Sequence, residues 1–497
     1  MTPTGDVQTD ATANLGSIGP VPPPRPTRRR AADQVTHLTR EQREARGAAA
    51  RVLLPRGGLA AVGAAESRPD PVDLLVSQGL TRLPDLVPLR YGRMATSAFA
   101  FYRGAALIMA SDLAATPDSG LDVQLCGDAH MSNFGLYGTP ERRLLFDLND
   151  FDETLPGPFE WDVKRLVASV EIAARSIGMD TKERRTVLLD VAKAYRTAMR
   201  EFADQPNLDV WYARLDVDDR LRELRSSLAK TQAKRTASTV RKARTRDHLR
   251  SVEKLTEVVA GSRRFVPDPP LVTTLTELLG EHDAREFTAA MGQLVHAYRA
   301  SLQPDRRHLL SQYRVIDMAR KVVGVGSVGT RAWILLLEGV DEHDHLILQA
   351  KEAQASVLEQ FLGASEYTQS GQRVVEGQRL MQAASDAMLG WQRSTGIDGL
   401  ERDFYIRQLR DWKGSAVIED MQPEGFHLYG GLCAWTLARA HARSGDRVAI
   451  ASYLGRSKAA DEAFATFAAD YADRTEQDHA ALVAAIDAGR LEAIHGV

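Results

Sequence analysis

Residues 319–353, "ARKVVGVGSVGTRAWILLLEGVDEHDHLILQAKEA", constrain the fold more than any other stretch. β-Branched and apolar residues alternate on both sides of a glycine run, and do so again after the acidic break "VDEHDH". The pattern reads as strand, glycine turn, strand, acidic turn, strand. Turns this short join antiparallel neighbours. A chain that is helical in pattern almost everywhere else must therefore fold around a sheet encoded in its second half, and an α/β protein of the α+β kind is expected.

The rest of the sequence divides around that sheet. Residues 1–50, with "GPVPPPRPTRRR", are too poor in large apolar residues to repay their ordering entropy and read as a disordered Pro/Arg-rich tail. Residues 51–314 begin with a helical pattern from Pro71 to Ala115, pass through a short strand "LDVQLCG" and the strand-like "ERRLLFDLNDFDE", then return to helix at "WDVKRLVASVEIAARSIG", with few breaks to about Tyr313. Within them "KTQAKRTASTVRKARTRDHLRSVEK" is basic, as the wet face of a helix usually is; a phosphate-facing surface is the alternative. Residues 315–412 hold the strands, a helix "GQRVVEGQRLMQAASDAML" and a further strand in "RDFYIRQLRDWKG", and residues 413–497 are helical again.

Composition removes several classes of function. A formal net charge of -3 over 497 residues gives no global pull toward nucleic acid or anionic lipid. No apolar run approaches the roughly 20 residues that span a bilayer, and "MTPTGDVQTD" has neither the basic start nor the apolar centre of a signal peptide. Cys126 and Cys433, the 2 cysteines, form no C-x-x-C pair. A cytoplasmic protein without a membrane partner is expected, and nucleic acid is an unlikely ligand apart from a contact of the basic tail.

The chemistry concentrates in "LCGDAHMSNFG", where Asp128, His130 and Asn133 fall between two glycines. Carboxylate and amide oxygen both bind divalent ions, although Asp and Asn also bond their own backbone in ordinary loops. The acid-rich "DLNDFDE" that follows, with Asp147, Asp150 and Asp152, returns carboxylates to the same place if the two segments form a hairpin. Such a cradle suits Mg²⁺, which is held by one or two protein carboxylates and substrate phosphates. Asp128 would then be free to take a proton from a hydroxyl.

"GDAHMSN" resembles the catalytic loop of the aminoglycoside and choline phosphotransferases, a branch of the protein-kinase-like superfamily, and "NDFDETLPGPFEWDVKRL" is similar to their metal-binding segment. The run from Leu125 to Leu166, together with "KVVGVGSVGTR" and "LQAKEA", also looks like the bacterial domain-of-unknown-function family 2252, over roughly residues 70 to 480. The first resemblance implies a two-lobed kinase-like fold using ATP and Mg²⁺. In it Asp128 is the catalytic base, Asn133 and Asp150 bind metal with Asp147 or Asp152 as substitutes, and Asp162 braces the loop; His130, read on its own, either shapes the loop or touches the metal or phosphate.

The order of parts departs from that pattern. The glycine loop "GVGSVG", with Gly324, Gly326, Ser327 and Gly329, and the strand lysine Lys351 follow the catalytic loop instead of preceding it. A circular permutation is inferred, with Glu376 placed to pair with Lys351 and Glu359 as the competing partner, "FYIRQLRD" at the hinge, and "LARAHARSGD" resembling the helix that normally leads into the catalytic loop. The same glycines also fit a dinucleotide-binding turn, which would open a helix over residues 330–337, or a plain tight turn; the kinase-type reading places Gly326 at an exposed hairpin tip. His441, Trp161, Trp412 and Cys126 read as packing residues. The resulting expectation is a phosphotransferase acting on a small hydroxyl-bearing acceptor. Nucleotidyl transfer, a non-catalytic nucleotide-binding regulator and a metal-dependent phosphoesterase are the alternatives.

Overall fold

The structure is a computed structural model and describes residues 37–64, 68–219, 248–280, 297–322, 324–396, 398–409 and 414–496, with 283, 284, 295 and 412 in addition. Most of the basic run between residues 230 and 254, and the tail up to residue 36, lie outside the described residues.

The larger part is helical. α1 (Arg40–Leu53), α2 (Pro71–Gly79), α3 (Val87–Ala95), α4 (Ala98–Gly104) and α5 (Ala106–Ala114) precede the "GDAHMSN" motif. α6 (Phe159–Ser176) and α7 (Thr181–Ala203) follow it, and α9 (Pro423–Ser444) and α10 (Ala459–Asp487) close the chain. α6 is buried along nearly its whole length, its charged residues Glu160, Asp162, Lys164, Arg165 and Glu171 included. Its first turn carries Glu160 and Asp162 and its last Arg175, in the sense that suits the helix dipole. One hydrophobic core runs through α6, α7, α9 and α10, joining Val167, Ala173, Val191, Leu437 and Phe467. Among the described residues no helix is long and apolar enough to cross a membrane.

Small strands carry the motif over this body. β1 (Asp122–Leu125) pairs with β4 (Leu155–Pro158), and β2 (Phe134–Gly138) pairs antiparallel with β3 (Leu144–Leu148), Phe134 opposite Leu148. The acid segment does form a hairpin, but with β2, which follows the motif; "LDVQLCG", the strand expected to pair with it, pairs with β4 instead. β5 (Leu215–Asp216) and β14 (Gly414–Ser415) flank it.

The smaller part is an antiparallel sheet of 6 strands in the order β12-β13-β11-β10-β9-β8. These are β8 (Val272–Thr274), β9 (Arg314–Lys321), β10 (Ala332–Glu338), β11 (His345–Ala353), β12 (Gly390–Thr395) and β13 (Glu401–Gln408), with α8 (Ser370–Met381) against it. One face packs Met318, Trp333, Leu348 and Phe404 into one core, and the other packs Ala319, Ile334 and Ile347 with Val252 and Phe265.

Three further expectations are corrected. The tail ends earlier than residue 50, because α1 starts at a capping box in which Thr39 Oγ1 accepts from Gln42 N at 3.2 Å and Thr39 N donates to Gln42 Oε1 at 2.8 Å. Its small residues let it lie flush: a Cβ on Gly47 would collide with the Ala449 carbonyl. The stretch read as helix up to Tyr313 contains β8 and the hairpin of β6 (Thr256–Val259) and β7 (Ser262–Phe265). The sheet-bearing lobe consequently begins near residue 248 and not at 315, since Val252, Phe265 and Val272 belong to its core.

Candidate functional site

The Asp128–Asn133 loop is held by backbone clamps. Asp162, at the start of α6, accepts from Cys126 N at 2.8 Å and Gly127 N at 3.1 Å. His441 on α9 stands behind it, with Nε2 3.2 Å from Asp162 and Nδ1 2.8 Å from the Tyr195 hydroxyl. Tyr429, also on α9, donates to the carbonyls of Met131 and Phe134 at 3.0 and 2.9 Å. Gly127 has φ +82, and a Cβ there would strike the Glu153 carbonyl, so only glycine lets the two segments cross this closely. Cys126 and Cys433 are buried, unbridged thiols pushed up by burial.

Within that frame Asp128 is oriented by Arg165, whose Nε donates to Oδ1 at 2.8 Å while Nη2 reaches the Tyr102 carbonyl at 2.6 Å. The guanidinium also stacks 3.8 Å from the Tyr102 ring. Arg165 was not singled out from sequence; it lies in a helical run where nothing marks it as turned toward the loop. His130 Nε2 is 3.6 Å from Asp128 Oδ2, and burial drives the imidazole pKa down to about 4, so it is neutral at pH 7. Asn133 Nδ2 donates to the Asp128 carbonyl at 2.9 Å and to the Asp150 carbonyl at 3.0 Å, which ties the loop to the acid segment and leaves its carboxamide oxygen as the atom able to ligate a cation.

The acid segment meets the sheet at Lys351. In the β11–β13 ladder Lys351 lies opposite Tyr405, so both side chains rise from the same face. Lys351, only 2% exposed, forms an ion pair with Asp152 and lies 3.7 Å from Asp150 Oδ2. The Tyr405 hydroxyl donates to Asp152 Oδ1 at 2.8 Å. Burial disfavours the ammonium, but Asp150 and Asp152 outweigh burial and hold its pKa above the ordinary lysine value. Burial, with the neighbouring charge of Asp150, raises Asp152. Asp147 is turned away to Arg439 and to Ala383 N, at 2.9 Å from the latter, and is no substitute ligand.

Neither glutamate expected beside Lys351 is there. Glu376 pairs with Arg379 at 3.2 Å, on the side of α8 that faces Trp391. Glu359 lies 3.6 Å from Arg373 and accepts from Ser356 N at 3.0 Å. The reason is that Asp152 already supplies the lysine's counter-charge. What α8 contributes is Arg373, which donates to the carbonyls of Thr154, Asp152 and Gln354 at 2.7, 2.8 and 2.8 Å and fastens the acid segment to the sheet.

The glycine loop joins β9 to β10 as an antiparallel connection, with Gly324 at φ +65 and Gly329 at φ +89. Residues 332–338 are strand, so the helix that a dinucleotide turn requires is absent there. Ser327 Oγ reaches Asp152 Oδ2 at 3.4 Å. Gly324 is exposed, but Gly326 is half-buried against the Arg103 carbonyl, in correction of the expectation of an exposed tip there. Arg93 donates to the Gly324 carbonyl at 2.6 Å, Leu83 N to the Gly329 carbonyl at 2.8 Å and Arg82 to the Val328 carbonyl, and Val328 is buried.

Asp150 and the Asn133 oxygen are hard donors of the kind Mg²⁺ takes. Among the described residues no group of three or more His, Cys, Asp or Glu could enclose a metal. A cation here would complete its shell with phosphate and water oxygens, which is the usual state of protein-bound magnesium. The residues therefore fit a nucleotide-borne Mg²⁺ and not a structural metal.

These features define an α+β protein in which a helical lobe and a sheet lobe meet at a buried lysine–aspartate centre. Residues 82–485 match an uncharacterised protein family conserved in bacteria, DUF2252, and the chain belongs to that family. No curated protein and no solved structure matches it.

Proposed function

We propose that this chain is an ATP- and Mg²⁺-dependent phosphotransferase of circularly permuted, kinase-like architecture that phosphorylates a small hydroxyl-bearing acceptor. The observation that carries the reading is the meeting of Lys351 and Asp150 at 3.7 Å from parts of the chain that the sequence keeps far apart. The position of α9 supports the permutation. Its end abuts the strand leading to the motif, with Gln124 N donating to Ser444 Oγ at 3.2 Å across 320 residues of sequence.

In this reading Lys351 and the glycine loop hold the nucleotide phosphates, Asp150 and Asn133 hold Mg²⁺, and bound Mg²⁺ would supply neutralising charge to those phosphates. The acceptor oxygen bonds to the γ-phosphorus as the bond to the β–γ bridging oxygen breaks. Asp128 takes the hydroxyl proton, and ADP and the phosphorylated acceptor are the products.

Thermal-shift titration tests it. Wild type should gain about 2.7 kcal/mol at 100 times Kd of Mg-ATP. Asp150→Ala should lose the Mg²⁺-dependent part of that gain, whereas Asp128→Asn should keep it and lose transfer to acceptor or water. Equal loss of binding in both variants, or in neither, would sink the assignment.

A further inference from the structure

Arg103 is the last-turn arginine of α4, a helix lying directly under the glycine loop. A side chain on Gly326 would press on the Arg103 carbonyl at 3.1 Å. On its other side the preceding residue, Tyr102, is fixed to Arg165 and through it to Asp128. Residues 102 and 103 therefore bridge the space between the glycine loop and the base.

The other cations described above in this cleft have partners. Lys351 has Asp152, Arg165 has Asp128, Arg82 has the Val328 carbonyl, and Arg373 has its three carbonyls. Arg103 has no hydrogen-bond or ion-pair partner among the described residues, and its Nε–H is buried. Glu419 and Asp128 are the charges it feels most, and neither bonds it. Beside Asp128, the buried His130 also leaves Nδ1 without a partner among the described residues. Buried donors are normally satisfied, and each exception calls for an explanation such as a water, an ion or a catalytic role; Arg82 and Arg373 also have an unpartnered buried Nε, but each has other hydrogen bonds, which Arg103 lacks.

We infer that Arg103, assisted by His130, binds a phosphate-type oxyanion immediately in front of Asp128. The planar guanidinium fork suits adjacent phosphate oxygens better than a point charge does. The oxyanion has two possible sources, the transferring γ-phosphoryl group or an acid group on the acceptor itself. That choice rests on the phosphotransferase reading; the oxyanion site does not.

The test is thermal melting of the full chain and of Arg103→Gln and Arg103→Lys, with inorganic phosphate and with Mg-ATP or Mg-ADP. Without ligand both variants should melt at or above wild type, because a half-buried guanidinium with no partner contributes no pairing energy to the fold. A clear drop in both, or failure of both to fold, would make Arg103 structural and overturn the inference. Millimolar phosphate should raise the melting temperature of wild type and leave Arg103→Gln unmoved, with Arg103→Lys between them. If the source is the γ-phosphoryl group, wild type prefers ATP over ADP by at least about tenfold, the worth of one hydrogen bond to a charged group, and Arg103→Gln loses the preference. If it is the acceptor's acid, the ATP/ADP ratio is the same in both proteins, and phosphate stabilises ATP-saturated wild type only. Phosphate protecting Arg103→Gln as well as wild type, with an unchanged ATP/ADP ratio, overturns the inference. Wild type ignoring both nucleotides while phosphate protects it through Arg103 would discard the phosphotransferase and keep the oxyanion site.

Discussion

Lys351 and Asp152 form a buried ion pair, and such pairs bring specificity of position more than net stability. Removing one partner strands the other in a low-dielectric site. Lys351→Met should therefore cost about 3–5 kcal/mol in urea denaturation, and adding Asp152→Leu should recover most of the loss. A double variant worse than the single one would show that Asp152 is needed for reasons beyond the pair. Two other titrating groups near the cleft oppose each other. Burial lowers His130 from 6.5 to about 4, so its contribution is full above pH 6.5 and is lost as pH falls through 4. Burial raises Glu153 from 4.5 to about 7, so its contribution is full below pH 4.5 and is lost as pH rises through 7. Each is worth on the order of 3 kcal/mol, and between pH 4.5 and 6.5 they cancel in the wild type. His130→Gln should become more stable on acidification across that window, and Glu153→Gln less. Parallel curves for both variants and wild type would mean that neither group is held as described.

At the scale of elements, two glycines with nearly the same backbone angle separate strain from contact. Gly127 and Gly261 have φ +82 and +80, but a Cβ on Gly127 meets the Glu153 backbone and one on Gly261 meets nothing within 4 Å. Gly261→Ala should cost about 1–2 kcal/mol, the left-handed penalty alone. Gly127→Ala should cost more than about 3 kcal/mol and disturb nucleotide binding. Gly326→Val, on a loop packed against α4, should reduce both stability and ATP binding. Equal urea midpoints for the Gly127 and Gly261 variants would contradict the crossing of the two segments.

The same elements explain what could be read from sequence. The β9–β10–β11 meander was legible because period-two patterning and short turns are local. So was the base-loop cluster, because Asp128, His130 and Asn133 share one turn. The β6–β7 hairpin also left a trace, "VVAGSR", in which Ala260 and Gly261 both take positive φ, but helix-forming neighbours masked it. The counter-charge of Lys351 was not legible. Helix order suggested Glu376, whereas strand register and a tertiary crossing select Asp152, and neither is a local property. Arg103, Arg165 and Arg373 were invisible for the same reason: among many arginines, only packing decides which turn inward.

For the whole molecule, the sheet lobe is nearly continuous in sequence from residue 248 to 409, while the helical lobe is built from both sides of it. The two should open as separate units in native-state hydrogen exchange. Leu437→Ala, in the core of α9, should lower protection of β1 and the motif more than that of β10 and β11. Uniform loss across both lobes would mean that they unfold as one.

The placement of α9 and α10 also bears on how the chain is made. On the ribosome, α6 and the motif emerge long before the helices that cover them, and the strands of the sheet lobe emerge between. The nascent chain therefore carries those strands while the loop of Asp128 still lacks Tyr429 and His441 behind it. A product released early, or clipped before α9, carries Asp128, Asp150 and Lys351 without the Tyr429 and His441 contacts that brace the loop of Asp128. That loop is thus made well before the helix that holds its shape.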